Sequence, residues 1–270
     1  MSKNEIADQI RILVINREKD VERRAAMTER LNAIGLSHEF FSAVDGHTFD
    51  TLKAPEYDGV KRRRFFGRDL SPGEIGCLLS HRGIAQKMVA EDIPLVLVLE
   101  DDTFLAPDLP DVLTSLLNGD REWDMIRFVN WEKVFKGPHR IIGPLTPNYE
   151  LTSVLATPGG AYGYLLTRHA AEVIVEHTEK NWLPIDALFG RCWDTGLDIF
   201  LTKPSPIVAD FDVPSTIGDD RFDKSFKASP LTKFKYKFFR LWYKLTSGLS
   251  KRRHFARTKV RDIRKSAKYT

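Results

Sequence analysis

The run Pro94–Leu99 (PLVLVL) leads straight into Glu100-Asp101-Asp102, and no other stretch restricts the fold as tightly. Six apolar residues without polar alternation are too short for a buried helix, so the run predicts a central strand covered on both faces. Such a strand needs helices above and below its sheet. Elsewhere the chain supplies them in alternation. Ile10–Ile15 (IRILVI) predicts a second buried strand. Asp20 is placed to cap a helix in which Val21, Ala25, Thr28, Leu31 and Ile34 recur at helical spacing, up to Gly35. His38–Val44 predicts a strand closed by Asp45-Gly46. Together these form a β-α-β unit with parallel strands and a right-handed crossover.

Thr48–Asp69, which contains Lys61-Arg62-Arg63-Arg64, predicts an irregular loop region. Ser71-Pro72-Gly73-Glu74 is a capping box with Pro at the first helical position. The helix it opens should turn Ile75, Leu78, Leu79, Ala85, Met88 and Val89 inward. Trp123–Asn130 predicts a strand, and Gly137–Pro158 a loop with room for an edge hairpin. After Gly159-Gly160, which suits a tight turn or close backbone approach, Ala161–Thr167 predicts a strand and His169–His177 a helix. Pro184–Cys192 predicts a short helix, and Gly196–Thr202 and Ile207–Phe211 short strands. The sum is an α/β domain, doubly wound, with a mostly parallel central sheet.

The net charge of +4 hides a split. From Lys224 to Thr270 there are 16 Lys and Arg against one acid, Asp262, a net +15; the remainder holds 25 against 36, a net −11. The expected division is therefore a body, residues 1–222, and a basic helical tail, residues 223–270. Within the tail, Lys233–Leu249 interleaves aromatics with cations. On a helix Phe234, Phe238, Leu241, Trp242 and Leu245 share one face, the pattern of an amphipathic helix lying on an anionic membrane. A helix packed on the body is the plainer alternative. Base-stacking aromatics beside cations also fit nucleic acid, which is set aside as the lesser partner. The two cysteines, Cys77 and Cys192, make no disulfide framework and suggest no zinc-ligand spacing. With no signal-peptide pattern at the polar start and no run of roughly 18 apolar residues, the expected location is cytoplasmic.

In open α/β sheets, ligands bind beyond the carboxyl ends of the strands. Glu100, Asp101 and Asp102 stand there, and three adjacent carboxylates repel one another unless a cation neutralises them. Oxygen ligands suit Mg²⁺ or Mn²⁺, which could bridge the phosphates of a nucleotide. A solvated turn capping the next helix is the alternative. There is no P-loop and no dinucleotide fingerprint. Arg23 and Arg24, early in the first helix, can reach a phosphate or lie on a solvated face.

Several blocks together resemble glycosyltransferase family 25, the lipooligosaccharide biosynthesis transferases: ILVINREKDVERR (Ile12–Arg24), FFSAVDG (Phe40–Gly46), LSPGEIGCLLSH (Leu70–His81), VLVLEDD (Val96–Asp102), GGAYGYLLTRHAA (Gly159–Ala171) and PIDALF (Pro184–Phe189). They cover roughly residues 10 to 217 in the family's order. The resemblance implies a GT-A fold with a DxD-type motif, here Glu100-Asp101-Asp102, with Asp102 and Glu100 as metal ligands. It implies a UDP-sugar donor, often UDP-galactose, inversion at the anomeric carbon, and acceptors of the lipopolysaccharide type. Inversion requires a base across the sugar from the leaving nucleotide. Asp186 is the first candidate, with a helix N-cap as its alternative; Asp101 and Asp198 follow. Asn16 is expected at the base or ribose of the nucleotide. His81 is expected at a phosphate or a carboxylate. Tyr162 and Tyr164 should share one strand face, in the core or lining the sugar pocket. Two other functions use the same features: another metal-dependent nucleotide transferase, and a non-catalytic module that tethers through the tail.

Overall fold

The computed structural model describes residues 6, 9–210 and 230–266. One eight-stranded sheet organises the body, in the order β2-β1-β3-β8-β5-β9-β7-β6. Its strands are β1 (Arg11–Asn16), β2 (Glu39–Ser42), β3 (Leu95–Glu100), β5 (Met125–Arg127), β6 (His139–Thr146), β7 (Tyr149–Val154), β8 (Gly163–Thr167) and β9 (Ile199–Lys203). A two-stranded ribbon, β4 (Thr103–Leu105) with β10 (Ile207–Ala209), lies just beyond β3. The helices are α1 (Val21–Ala33), α2 (Gly59–Phe66), α3 (Pro72–Ala90), α4 (Leu109–Asn118), α5 (Glu132–Phe135), α6 (Arg168–His177), α7 (Ile185–Phe189), α8 (Cys192–Thr195) and α9 (Pro230–Ser266).

The run that predicted a central strand forms β3, and its side chains divide between two cores. Leu97 and Leu99 join Met27 and Leu31 of α1 and Val112, Leu113 and Leu116 of α4. Val96 and Val98 join Leu78, Ile84, Ala85 and Met88 of α3, Ala170 and Ala171 of α6 and Phe189 of α7. Period-2 alternation thus buries both faces of the sheet. The expected β-α-β unit is present, with β1 parallel to β2 and, on its other side, to β3. The chain reverses its direction of winding between β1 and β3, and their carboxyl ends open a crevice there.

The sheet is mixed rather than uniformly parallel. β8 runs against its neighbours β3 and β5, and β7 against β9 and β6; the other six strands share one direction. The edge hairpin foreseen within Gly137–Pro158 is β6–β7. Helix α1 buries Leu31, with Ile34 just beyond its end, as the spacing suggested, but Met27 is buried with them while Val21 is exposed. Asp20 stands at its N-cap position, but its carboxylate accepts from Arg17 Nε (2.7 Å) instead of capping. Thr48–Asp69 is not a loop. Thr51–Lys53 forms a 3-10 turn, and α2 follows, capped by Asp58, which accepts from Lys61 N (2.9 Å), and closed by Gly67 in the left-handed region. Pro184–Cys192 resolves into α7 and the start of α8. Tyr162 and Tyr164 fall in different cores, because β8 begins only at Gly163 and the alternation does not reach back to Tyr162.

Helix α9 packs along the body. Tyr243 meets Phe66 and Trp182 edge-on and Phe65 at a tilt, and its hydroxyl accepts from Arg191 (2.6 Å). Further along, Arg140 donates to the carbonyl of Phe255 (2.8 Å) and to Thr258 (2.9 Å). The opposite side leaves Phe238, Leu241, Trp242, Leu245 and Leu249 each more than half exposed. The tail is therefore both a docked helix and a carrier of an outward apolar stripe. The Phe234 side chain and the 222/223 boundary lie outside the described residues. Tyr243→Ala should loosen α9 at a cost of about 2 kcal/mol, read as faster limited proteolysis within 230–266 than in the unaltered chain. Among the described residues no helix is long and apolar enough to cross a membrane.

Candidate active site

A pocket at the β1/β3 switch point is lined by Asn16, Arg17 and Asp20 from the end of β1, Val44–His47 from the loop after β2, Gly73, Cys77, Ser80 and His81 from α3, and Glu100, Asp101 and Asp102 from the end of β3. Backbone meets backbone where the β2 loop crosses α3. A Cβ on Gly46 would lie 1.9 Å from the Pro72 carbonyl oxygen, and one on Gly76 2.6 Å from that of Val44. Val44 N also donates to Ser80 Oγ (2.9 Å). The capping box forms as read: Ser71 Oγ accepts from Glu74 N (3.2 Å) and Glu74 accepts from Ser71 N (2.8 Å). Both ends of this wall are therefore fixed.

The three acids differ in their surroundings. Asp101 is clasped: one carboxylate oxygen accepts from Asn16 Nδ2 (2.7 Å) and the other from Arg23 (3.1 Å). Burial raises its pKa against those two donors. Asp102 lies 3.5 Å from the same Arg23 guanidinium, yet its Oδ1 is buried with no hydrogen-bond partner. Burial first, then repulsion from Glu100 and Asp101, pushes its pKa up to about 7. Glu100 faces His81, with Nε2 3.3 Å from Oε1; His81 Nδ1 lies 2.8 Å from the Tyr164 hydroxyl. A carboxylate only accepts, so in neutral His81 the proton sits on Nε2 and Tyr164 donates to Nδ1. Asn16 Oδ1 is a second buried acceptor with no partner. Two orphaned oxygens beside carboxylates that repel one another could hold a hard divalent cation and a polar ligand.

Other expected residues stand elsewhere. Arg24 lies outside the pocket, its guanidinium 4.1 Å from the centre of the Phe40 ring on the outer side of α1. Asp186 is not among the pocket's lining residues. It sits in the first turn of α7, where its carboxylate accepts from Gly160 N (3.0 Å) and Ala187 N (2.7 Å). Gly160 takes φ +84, a left-handed conformation that glycine adopts without strain, and in it presents that N–H to Asp186. Asp198 lines a separate cavity with Arg127 and Trp193, walled on one side by α9. Sequence reading missed Arg17, Asp45 and Cys77. Cys77 and His81 are four residues apart on α3, a ligand spacing after all, and with Glu100 their donor atoms all lie within 4.8 Å of one another.

The pocket sits at the switch point of a mixed α/β sheet, where such domains bind their ligands. A family model described as glycosyltransferase family 25 (LPS biosynthesis protein) matches residues 9–189. The chain belongs to glycosyltransferase family 25. It is 32% identical over 184 residues to a glycosyltransferase 25 family member of Aedes aegypti, covering 65% of this chain and 29% of that protein. It is 25% identical to procollagen galactosyltransferase 1 of Danio rerio (65% and 30%) and 29% identical to inactive glycosyltransferase 25 family member 3 of Mus musculus (68% and 32%). The match thus spans about a third of the length of these relatives.

Proposed function

We propose that this chain is an inverting glycosyltransferase that moves a sugar, galactose first among candidates, from a UDP-sugar to a lipid-linked glycan acceptor of the lipopolysaccharide type. The observation that carries the reading is the acid cluster at the switch point, with Asp102 raised and Asp102 Oδ1 orphaned. Family membership supports the reaction class, and the description of the family and the name of the zebrafish relative favour these acceptor and donor sugars. Three relatives carry the word inactive in their names, so the reading of activity rests on the acid cluster as well as on membership.

In this reading Asp102 and Glu100 would hold Mn²⁺ or Mg²⁺, which when bound would supply positive charge to a leaving diphosphate. Arg23 holds Asp101 and Asp102 in register. Asn16 offers its free oxygen to a ribose hydroxyl or a base N–H. Asp186 takes the acceptor's proton: two N–H donors fix its orientation, and a carboxylate has about four lone-pair sites. Asp186→Asn should cut turnover roughly a hundredfold while UDP binding, by calorimetry, is unchanged; near-normal turnover removes the assignment.

The outward stripe of α9, flanked by Lys237, Lys244, Arg252 and Arg253, rests on the anionic inner face of the cytoplasmic membrane in the same reading. The double variant Leu241→Gln/Trp242→Gln alters only exposed side chains. It should stop flotation with vesicles containing anionic phospholipid, where the unaltered chain floats. Equal flotation of both counts against the membrane.

A further inference from the structure

At the inner end of the acid pocket, Cys77 and His81 bring ligand chemistries beside Glu100 that the transferase reading does not use. Cys77 Sγ is soft, His81 Nε2 intermediate and the Glu100 carboxylate hard. We propose that Cys77, His81 and Glu100 form a site for a thiophilic divalent cation of the Zn²⁺ class, distinct in preference from the Mn²⁺ or Mg²⁺ of the outer acids.

Four observations converge on it. All three donor atoms lie within 4.8 Å of one another. His81 Nε2 and Glu100 Oε1 are 3.3 Å apart, about the edge of a tetrahedron whose bonds are roughly 2.0–2.1 Å, as for zinc with nitrogen and oxygen ligands. Two of the ligands lie one helical turn apart on α3, so they share a face, and α3 is held rigid by its capping box and by the Gly46–Gly76 contact. Finally, the Tyr164 hydroxyl lies 2.8 Å from His81 Nδ1. A hydroxyl both donates and accepts, so it serves the histidine with Nε2 protonated or ligating, as an outer partner of a metal-bound imidazole does. A thiolate and an imidazole favour zinc over magnesium or manganese. The fourth position is left for water or a ligand in the pocket.

The consequence for activity rests on the proposed transferase reading: Glu100 cannot serve both ions, so zinc displaces the productive cation and inhibits. The binding itself does not rest on that reading, and it is tested separately. Co²⁺ added to the full chain should give the visible bands of tetrahedral coordination and a thiolate charge-transfer band in the near ultraviolet, both removed by one equivalent of Zn²⁺. Cys77→Ser should lose the charge-transfer band and weaken Zn²⁺ at least tenfold in a chelator competition, whereas Cys192→Ser should retain both. A Co²⁺ spectrum without a thiolate band in the unaltered chain overturns the site whatever the variants do. So does Zn²⁺ affinity that Cys77→Ser leaves unchanged. If zinc binds but does not inhibit a working transfer assay, the shared use of Glu100 is wrong and the site stands.

Discussion

Asp102→Asn is expected to remove metal-dependent UDP binding and to lower turnover roughly a thousandfold, while making the metal-free protein more stable at neutral pH. The two effects come from one cause. Asp102 is buried beside Glu100 and Asp101, and its pKa is pushed up to about 7, against about 3.9 in an unfolded chain. Between those values the folded chain keeps a proton that the unfolded chain has lost. Metal-free stability therefore falls as pH rises from about 4 to about 7 and levels off above. At 1.36 kcal/mol per unit, trimmed for partial solvent access, the loss is on the order of 3 kcal/mol. Asparagine carries no charge to repel, so the variant should show a flatter pH profile and a higher Tm at pH 8. A residue that merely caps a turn would lose stability instead. Melting curves from pH 4 to 8 with and without Mn²⁺ separate the two.

Gly46→Ala is the second large effect, this time on the fold. Its Cβ would lie 1.9 Å from the Pro72 carbonyl oxygen and 2.7 Å from its carbon. Those are backbone atoms in the first turn of α3, so no side chain can swing aside. Either the loop after β2 lifts or α3 shifts, and both line the pocket. The expected cost is about 3 kcal/mol, with loss of UDP binding. Gly76→Ala, on the other side of the same contact, should behave alike. Gly248→Ala makes a control of opposite sign: nothing lies within 4 Å of its added Cβ, and alanine favours a helix interior by roughly 1 kcal/mol. Urea unfolding of the three variants checks the signs.

These contacts also mark how far the sequence could be read. The apolar run of β3, the capping box of α3 and the β1-α1-β2 unit depend on neighbours in the chain, and they form as their spacing suggests. Helix α2 was hidden by its Lys-Arg run. Arg62 is buried with its guanidinium over Phe66, and Phe65 and Phe66 pack on Tyr243 far along the chain; none of that is a local signal. The reversed strand β8 is equally invisible, because its pairing with β3 spans some seventy residues. The acids and Asn16 come together in one pocket because strand ends fix them, which the sequence shows. Arg24 stays outside it because Phe40 takes its guanidinium, a contact that has no local signal. Cys77 and His81 stood at ligand spacing in plain view, but their third member, Glu100, arrives from another element.

The transferase reading requires the acid pocket to bind a nucleotide diphosphate together with a divalent cation. Calorimetric titration of UDP into the full chain tests it most directly, in Mn²⁺, in EDTA, and with Asp102→Asn in Mn²⁺. One-to-one binding is expected in Mn²⁺, at least tenfold weaker in EDTA and equally weakened by the substitution. Binding that is absent in Mn²⁺, or the same in all three titrations, contradicts it.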